Sequence, residues 1–224
     1  MAVVRYFAYG ANVAPASMAR RGTAPAGSAR PATVKDYRLT FGVPGAPYVE
    51  PGFATIVRKD EAGEEEDGGL DVRGVVYDLT EEDWERVRAT ETGYEVVEVE
   101  VAGSSQTATT LVYPRARCRP GLLPSRRYLS LIREGAAYHS IDLEWRAYLA
   151  SLDYYDPSLD EGRALGAALS LVGGLAASPL VVGTLVSQGA DAALAASAEL
   201  TWGLHDSVIR GLVGTGGGDN AAEL

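Results

Sequence analysis

The chain has 224 residues, of which 46% are hydrophobic and 22% are charged, and its formal net charge is −10. This composition is typical of a globular protein, and the acidic balance argues against a nucleic-acid partner because phosphates would be repelled. One cysteine and two widely separated histidines provide neither a disulfide framework nor metal-ligand spacing, so we expect no metal and no other cofactor. The first residues lack the basic and apolar regions of a signal peptide, and we expect a cytoplasmic protein.

Hydrophobic periodicity predicts strands and a few helices in mixed order over the first two thirds of the chain. The predicted strands are 3–9, 32–41, 53–57, 70–78, 94–101 and 107–113. The predicted helices are 81–91, a segment after Ser125, and 143–152. This order predicts an α+β fold in which a small mixed β-barrel with flanking helices occupies residues 1–152.

The last third of the chain has a different composition. No charged residue occurs between Arg163 and Asp191, and this stretch is longer than the ~20 residues that cross a bilayer. Pro179 and scattered small residues argue against a membrane span. We therefore expect a helical extension at 153–213, packed on the main domain or on a partner subunit, and a flexible tail at 214–224. Membrane contact through the extension is the less favoured alternative, and a homodimer stays open.

The segment Tyr6-Phe7-Ala8-Tyr9-Gly10-Ala11-Asn12 leads from a strand directly into a turn. Backbone N–H groups that converge at a strand end form a binding site for a carboxylate or another anion. Gly10 permits close approach of a ligand or a positive φ, and Asn12 tolerates a left-handed backbone. An ordinary strand and turn without a ligand is the alternative interpretation.

The helix at 81–91 places a carboxyl group on its apolar face. Trp84, Val87 and Glu91 have the i, i+3, i+7 spacing of one helical face, so we expect Glu91 to face the core with the other two. A buried carboxylate is costly unless it is paired or protonated. Such a group at the negative end of a helix dipole is suited to general acid/base chemistry. A frayed last turn with Glu91 in water is the alternative.

Five short motifs in this order resemble the γ-glutamylcyclotransferase family over about residues 4–150. Each motif is weak alone, and the five together are specific. In the family's notation they are YFAYGSN at 6–12, PGxATI at 51–56, GVVY at 74–77, LDxxEG at 87–93 and PSxxY…GA at 124–136. The resemblance implies a γ-glutamylcyclotransferase-like fold and release of 5-oxoproline from a small-molecule γ-glutamyl amide without metal or cofactor.

The resemblance also assigns roles to individual residues. Glu91 matches the family's acid/base and is the predicted catalytic residue. The predicted substrate-binding residues are Tyr6, Phe7, Ala8, Tyr9, Gly10, Ala11, Asn12, Tyr113 and Tyr128.

Two departures from the family pattern concern the site. Ala11 replaces the usual serine, which removes a hydroxyl but keeps the backbone amide, and Thr92 separates Glu91 from Gly93. The extension at 153–213 has no counterpart in compact members.

Two alternative functions stay open beside this predicted cyclotransferase activity. One is the removal of a γ-glutamyl group from a biosynthetic intermediate or a glutathione conjugate, and the other is a non-catalytic γ-glutamyl-binding module.

Overall fold

A computed structural model describes residues 3–23, 29–47, 49–61, 69–156 and 202–203. The chain divides into two compact units, of which the first comprises Met1–Gly45 and Glu50–Asp156 and the second Ala46–Val49 and Pro157–Leu224. The predicted extension and tail lie outside the described residues, apart from 153–156 and 202–203. The domain boundary at 152 therefore stays a prediction.

Seven strands form two sheets in the part of the chain that the structure describes. The strands are β1 Val3–Ala8, β2 Arg30–Val34, β3 Tyr37–Ala46, β4 Glu50–Arg58, β5 Val72–Thr80, β6 Glu95–Glu100 and β7 Thr107–Val112. Five of them form a sheet of order β2-β5-β1-β7-β6, and β3 and β4 form a two-stranded sheet. Strand β1 pairs antiparallel with β5 and parallel with β7, so the opening segment begins at the centre of the larger sheet.

The five-stranded sheet curls until its two edge strands meet. Val34, at the end of β2, forms an antiparallel bridge with Val101, just beyond β6. Beside it, the N–H of Ala102 donates to the carbonyl of Thr33 at 2.8 Å. The sheet is not a closed barrel, because these edges join at one end rather than along their length. The predicted α+β class with flanking helices is confirmed, and the barrel-like part of it is a curled, open sheet.

The prediction of a single strand at 32–41 is wrong. Lys35 and Asp36 form a turn that separates β2 from β3, and Asp36 has a φ of 63°. Aspartate visits the left-handed region more readily than most residues, so one polar position suffices to reverse the chain. Apolar alternation continues on both sides of this turn and therefore hides it from the sequence pattern.

Four α-helices flank the sheets within the described residues. They are α1 Pro15–Arg20, α2 Glu81–Thr90, α3 Arg126–Tyr138 and α4 Leu143–Ser151. Thr80, Ser125 and Asp142 cap α2, α3 and α4, since each side chain accepts a hydrogen bond from the backbone N–H three residues later. None of these helices is long and apolar enough to cross a membrane.

Helix α3 packs directly on the turn that follows β1. A Cβ added to Gly135 would lie 2.6 Å from the backbone nitrogen of Ala14 and 2.7 Å from the carbonyl carbon of Val13. No side chain fits in that space, so the glycine allows the helix to support the backbone of the turn. The central strand and this helix together fix the position of the turn.

Candidate active site

The turn after β1 is a short 3-10 helix, Ala11–Val13. The N–H groups of Val13 and Ala14 donate to the carbonyls of Gly10 and Ala11, both at 3.0 Å. These two bonds close the turn without using the amides of Gly10 and Asn12, which remain the candidates for holding an anion.

Gly10 lies against the hydroxyl of Tyr128, which α3 provides. Its φ is −93°, so the structure needs glycine for close approach and not for a positive φ. A Cβ at this position would lie 3.0 Å from the Tyr128 hydroxyl. That hydroxyl accepts a hydrogen bond from the N–H of Ala54 at 3.2 Å. Burial raises the pKa of Tyr128 to about 12, although hydrogen bonds from the backbone of Ala54 and Ala11 lower it.

The Tyr128 hydroxyl therefore has an uncommitted proton. Its oxygen accepts from backbone N–H groups, and within the described part of the chain the O–H itself donates to no acceptor. A neutral phenol with a free proton next to backbone amides is suited to stabilise an oxygen that gains negative charge.

Helix α2 presents Glu91 at its C-terminus. The helix ends at Thr90, one residue earlier than predicted, and Glu91 is the C-cap residue. Trp84 and Val87 are buried as predicted, with 8% and 0% exposure, while the Glu91 side chain is 18% exposed. Gly93 has a φ of 83°, which reverses the chain after the helix. The carboxylate is thus withdrawn from solvent and is not frayed into it.

Two side chains hold the same oxygen of this carboxylate. Asn12 donates from Nδ2 to Oε1 of Glu91 at 2.9 Å, and Arg21 donates from Nη2 to the same atom at 2.5 Å. Asn12 also donates to the hydroxyl of Tyr6 at 2.9 Å. Oε2 of Glu91 makes no hydrogen bond to any residue that the structure describes. One carboxylate oxygen is fixed, and the other is available to a ligand.

Asn12 contributes a second available acceptor. The residue is 6% exposed, and its Oδ1 is buried without a hydrogen-bond partner among the described residues. Leaving a buried acceptor unpaired costs about 1–3 kcal/mol, so such atoms usually have a partner in the functional state. An amide oxygen beside a carboxylate is suited to accept hydrogen bonds from an ammonium group.

Four tyrosines face Glu91, of which Tyr6, Tyr9 and Tyr128 are buried and Tyr94 is half-buried. Burial raises the pKa of each hydroxyl, and the charge of Glu91 raises it further. All four phenols are therefore neutral near pH 7. The hydroxyls of Tyr9 and Tyr94 donate to backbone carbonyls. The hydroxyls of Tyr6 and Tyr128 accept hydrogen bonds, from Asn12 and from the backbone of Ala54, and of these two Tyr128 is the one that lies against Gly10.

The structure does not bring every predicted binding residue to Glu91. Phe7 and Ala8 have 0% exposure and pair with β5, so their side chains belong to the core of the sheet. Tyr113 lies at the edge of the site, where its ring centroid is 5.5 Å from that of Tyr94. The side chains of Phe7 and Ala8 therefore belong to the sheet and not to the site around the carboxylate.

Sequence reasoning missed Arg21. The residue follows α1 and pairs with a carboxylate 70 positions later in the chain. The sequence around it shows only two adjacent arginines after a short helix, which is no signal for a distant partner. The ion pair depends on how α1 and α2 are placed around the central strand.

A separate groove of about 710 Å³ lies elsewhere on the first unit. Its charged residues form the ion pairs Lys59–Asp71 and Arg73–Asp142, and none of the predicted site residues lines it.

Within the described ranges no group of three or more histidine, cysteine or acidic side chains has the arrangement of a metal site.

Comparison with known proteins identifies the family. The model of the family described as γ-glutamyl cyclotransferase, AIG2-like, matches residues 6–130. A γ-glutamyl cyclotransferase of Aspergillus oryzae is 30% identical in an alignment of 191 residues that covers 75% of this chain and 68% of that protein. A γ-glutamyl cyclotransferase of Aspergillus fumigatus is 29% identical over 189 residues, with the same coverage of 75% and 68%.

Solved structures show the same fold. A γ-glutamyl cyclotransferase superposes with a TM-score of 0.55 at 24% identity and covers 69% of this chain and 90% of its own. An uncharacterised human protein also gives a TM-score of 0.55, at 25% identity, over 68% of this chain and 89% of its own. The chain belongs to the γ-glutamyl cyclotransferase, AIG2-like family, and it is an enzyme of the γ-glutamyl cyclotransferase type.

Proposed function

We propose that the protein releases 5-oxoproline and a free amino acid or amine from a γ-glutamyl amide, with Glu91 as general acid/base. One observation carries this proposal: Asn12 and Arg21 both hold Oε1 of Glu91, so that Oε2 is free to accept a proton. The uncommitted hydroxyl proton of Tyr128 supplies a donor in the same site.

The first step makes the substrate amine nucleophilic. A γ-glutamyl α-amine is an ammonium ion near neutral pH and has no lone pair for attack. Oε2 of Glu91 accepts one of its protons, while Oδ1 of Asn12 accepts a hydrogen bond from another N–H and orients the nitrogen. The freed lone pair attacks the γ-carbonyl carbon of the same molecule. Ring closure is favoured because both reacting groups are held together in one substrate.

The second step stabilises and then collapses the tetrahedral intermediate. Its oxygen gains negative charge and accepts a hydrogen bond from the Tyr128 hydroxyl, while the amides of Gly10 and Asn12 hold the α-carboxylate. The carbon–nitrogen bond to the leaving group then breaks, and protonated Glu91 returns its proton to the departing nitrogen. The ring nitrogen carries one surplus proton after the attack, and this proton passes through Glu91 to the released amine. The products are 5-oxoproline and the amine as its ammonium ion, and Glu91 is again a carboxylate.

The replacement of the family's usual serine by Ala11 is compatible with this mechanism. The backbone of Ala11 already contributes a hydrogen bond to the Tyr128 hydroxyl, and a serine side chain is not needed for that contact. A main-chain role of residue 11 therefore survives the loss of the serine hydroxyl.

The experiment is a product analysis with the purified protein and a panel of γ-glutamyl amino acids, glutathione and γ-glutamyl amines. We expect at least one substrate to yield 5-oxoproline and free amine in equal amounts. The matched control is the same substrate with an acetylated α-amine, which has no nucleophile and should stay intact. Formation of glutamate instead of 5-oxoproline, or turnover of the acetylated substrate, would show that the reaction is not this cyclisation.

A further inference from the structure

Arg21, at the end of α1, forms hydrogen bonds with two adjacent residues at the end of α2. Its Nη2 donates to Oε1 of Glu91 at 2.5 Å, and its Nε donates to Oγ1 of Thr90 at 2.8 Å. The remaining Nη1 donates to the carbonyl of Ser17 at 3.3 Å. The Arg21 side chain is 20% exposed, so three of its nitrogens are used in a mostly buried position.

The guanidinium group constrains the carboxylate in a way that a simple cation does not. It is planar and rigid, so contacts with Thr90 and Ser17 fix the direction in which Nη2 points. Asn12 donates to the same Oε1 from another side. Rotation of the carboxyl group would exchange its two oxygens only by breaking both of these hydrogen bonds. The geometry therefore distinguishes Oε1 from Oε2.

The charge of Arg21 is also distinctive within the site. The phenols of Tyr6, Tyr9, Tyr94 and Tyr128, whose pKa the charge of Glu91 raises, are kept neutral by burial. Among the described residues, Arg21 forms the ion pair with Glu91. Arg21 is therefore a cation that the structure places in direct contact with this carboxylate.

We propose that Arg21 is a positioning residue of the cyclisation: together with Asn12 it fixes Oε1 of Glu91, so that Oε2 exchanges the proton. This inference rests on the proposed function of Glu91. It assigns to Arg21 no contact with the substrate, so its loss should affect turnover more than substrate binding.

The test uses three variants of the full chain and steady-state kinetics of 5-oxoproline formation. Arg21→Met removes the charge and the donors, Arg21→Lys keeps the charge without the planar group, and Arg20→Met is the matched control. Arg20 is the neighbouring arginine, and it donates to Oγ of Ser17 at 3.3 Å and not to Glu91.

For Arg21→Met we expect kcat to fall at least about tenfold while KM stays within about threefold. Arg21→Lys should give a kcat between those of Arg21→Met and the unchanged protein, because it keeps a donor without the planar group. Arg20→Met should match the unchanged protein in kcat and KM.

Glu91→Gln in the same assay separates this inference from the proposed function. An active Glu91→Gln contradicts the proposed function itself. An inactive Glu91→Gln together with an Arg21→Met that keeps its kcat, or that loses activity through KM alone, contradicts only the positioning role. If circular dichroism shows that Arg21→Met is unfolded, Arg21→Lys decides, and an unchanged kcat in that variant contradicts the proposal.

Discussion

Asn12 and Glu91 are 79 residues apart in the sequence, and a hydrogen bond of 2.9 Å joins Nδ2 of the first to Oε1 of the second. This bond connects the turn after β1 with the end of α2. It leaves Oδ1 of Asn12 and Oε2 of Glu91 without partners among the described residues. Two free acceptors at one site form a suitable environment for an ammonium group, and this arrangement is the basis of the predictions below.

Asn12→Asp keeps the shape of the side chain but replaces the donor with a second carboxylate oxygen. The variant should lower kcat/KM for 5-oxoproline formation about 10- to 100-fold, because it loses a hydrogen bond to a charged group and places two like charges together. The control is Gln106→Glu, which makes the same amide-to-acid change at an exposed residue. Activity of Asn12→Asp within about twofold of the unchanged protein would contradict the role of this bond.

Tyr128→Phe removes the hydroxyl that we assign to the oxyanion. Loss of one such donor should reduce kcat by about 10²- to 10³-fold. The control is Tyr77→Phe, which removes another buried hydroxyl, one that donates to the carbonyl of Val13 at 3.1 Å. Comparable losses in the two variants would indicate a packing effect rather than a catalytic donor.

The raised pKa of Tyr128 also predicts an alkaline loss of stability. The pKa of about 12 in the folded protein exceeds the value near 10 of an unfolded tyrosine, so the folded state retains the proton longer. The stabilising contribution is complete below about pH 10 and declines as the pH rises towards 12, by up to about 3 kcal/mol in total. Thermal unfolding at about pH 9 and pH 11.5 measures this decline. It should be smaller in Tyr128→Phe, and an equal decline in both proteins would refute the assignment.

Gly135→Ala tests the support that α3 gives to the site turn. Alanine is intrinsically better in a helix by about 1 kcal/mol, yet here its Cβ would meet the backbone of Ala14 at 2.6 Å. We expect a net loss of about 1–3 kcal/mol in the free energy of unfolding, measured by urea denaturation. Glu134→Ala, at an exposed position of the same helix, should have little effect. A stabilised Gly135→Ala would mean that the helix and the turn are not in close contact.

Local patterns predicted the elements that carry the site. Thr80 caps α2, acidic residues fill its first turn, and the spacing of Trp84 and Val87 sets its buried face. These signals lie within a few residues of one another, so they were readable before the fold was known. The same reasoning placed Glu91 toward the interior, where the structure leaves it 18% exposed.

The long-range contacts of the site were not predictable in this way. The contact of Arg21 with Glu91 spans 70 positions, and the contact of Tyr128 with Ala54 spans 74. Both depend on the order of strands around β1 and on the packing of α3, which periodicity does not determine. Tyr128 entered the prediction only through the family resemblance. The cytoplasmic location, the homodimer and the helical extension stay predictions.

The assignment of Glu91 as general acid/base is the central claim. It is tested most directly by the rate of 5-oxoproline formation in Glu91→Gln, with Glu95→Gln as the control. Glu95 is exposed at the start of β6, only four positions along the chain, and its change removes the same charge. Both variants should give the circular dichroism spectrum of the unchanged protein.

We expect Glu91→Gln to lose at least about 10³-fold in kcat, since glutamine can neither accept nor return the proton. Glu95→Gln should retain the full rate. A folded Glu91→Gln that still forms 5-oxoproline at a rate within about tenfold of the unchanged protein would contradict the account.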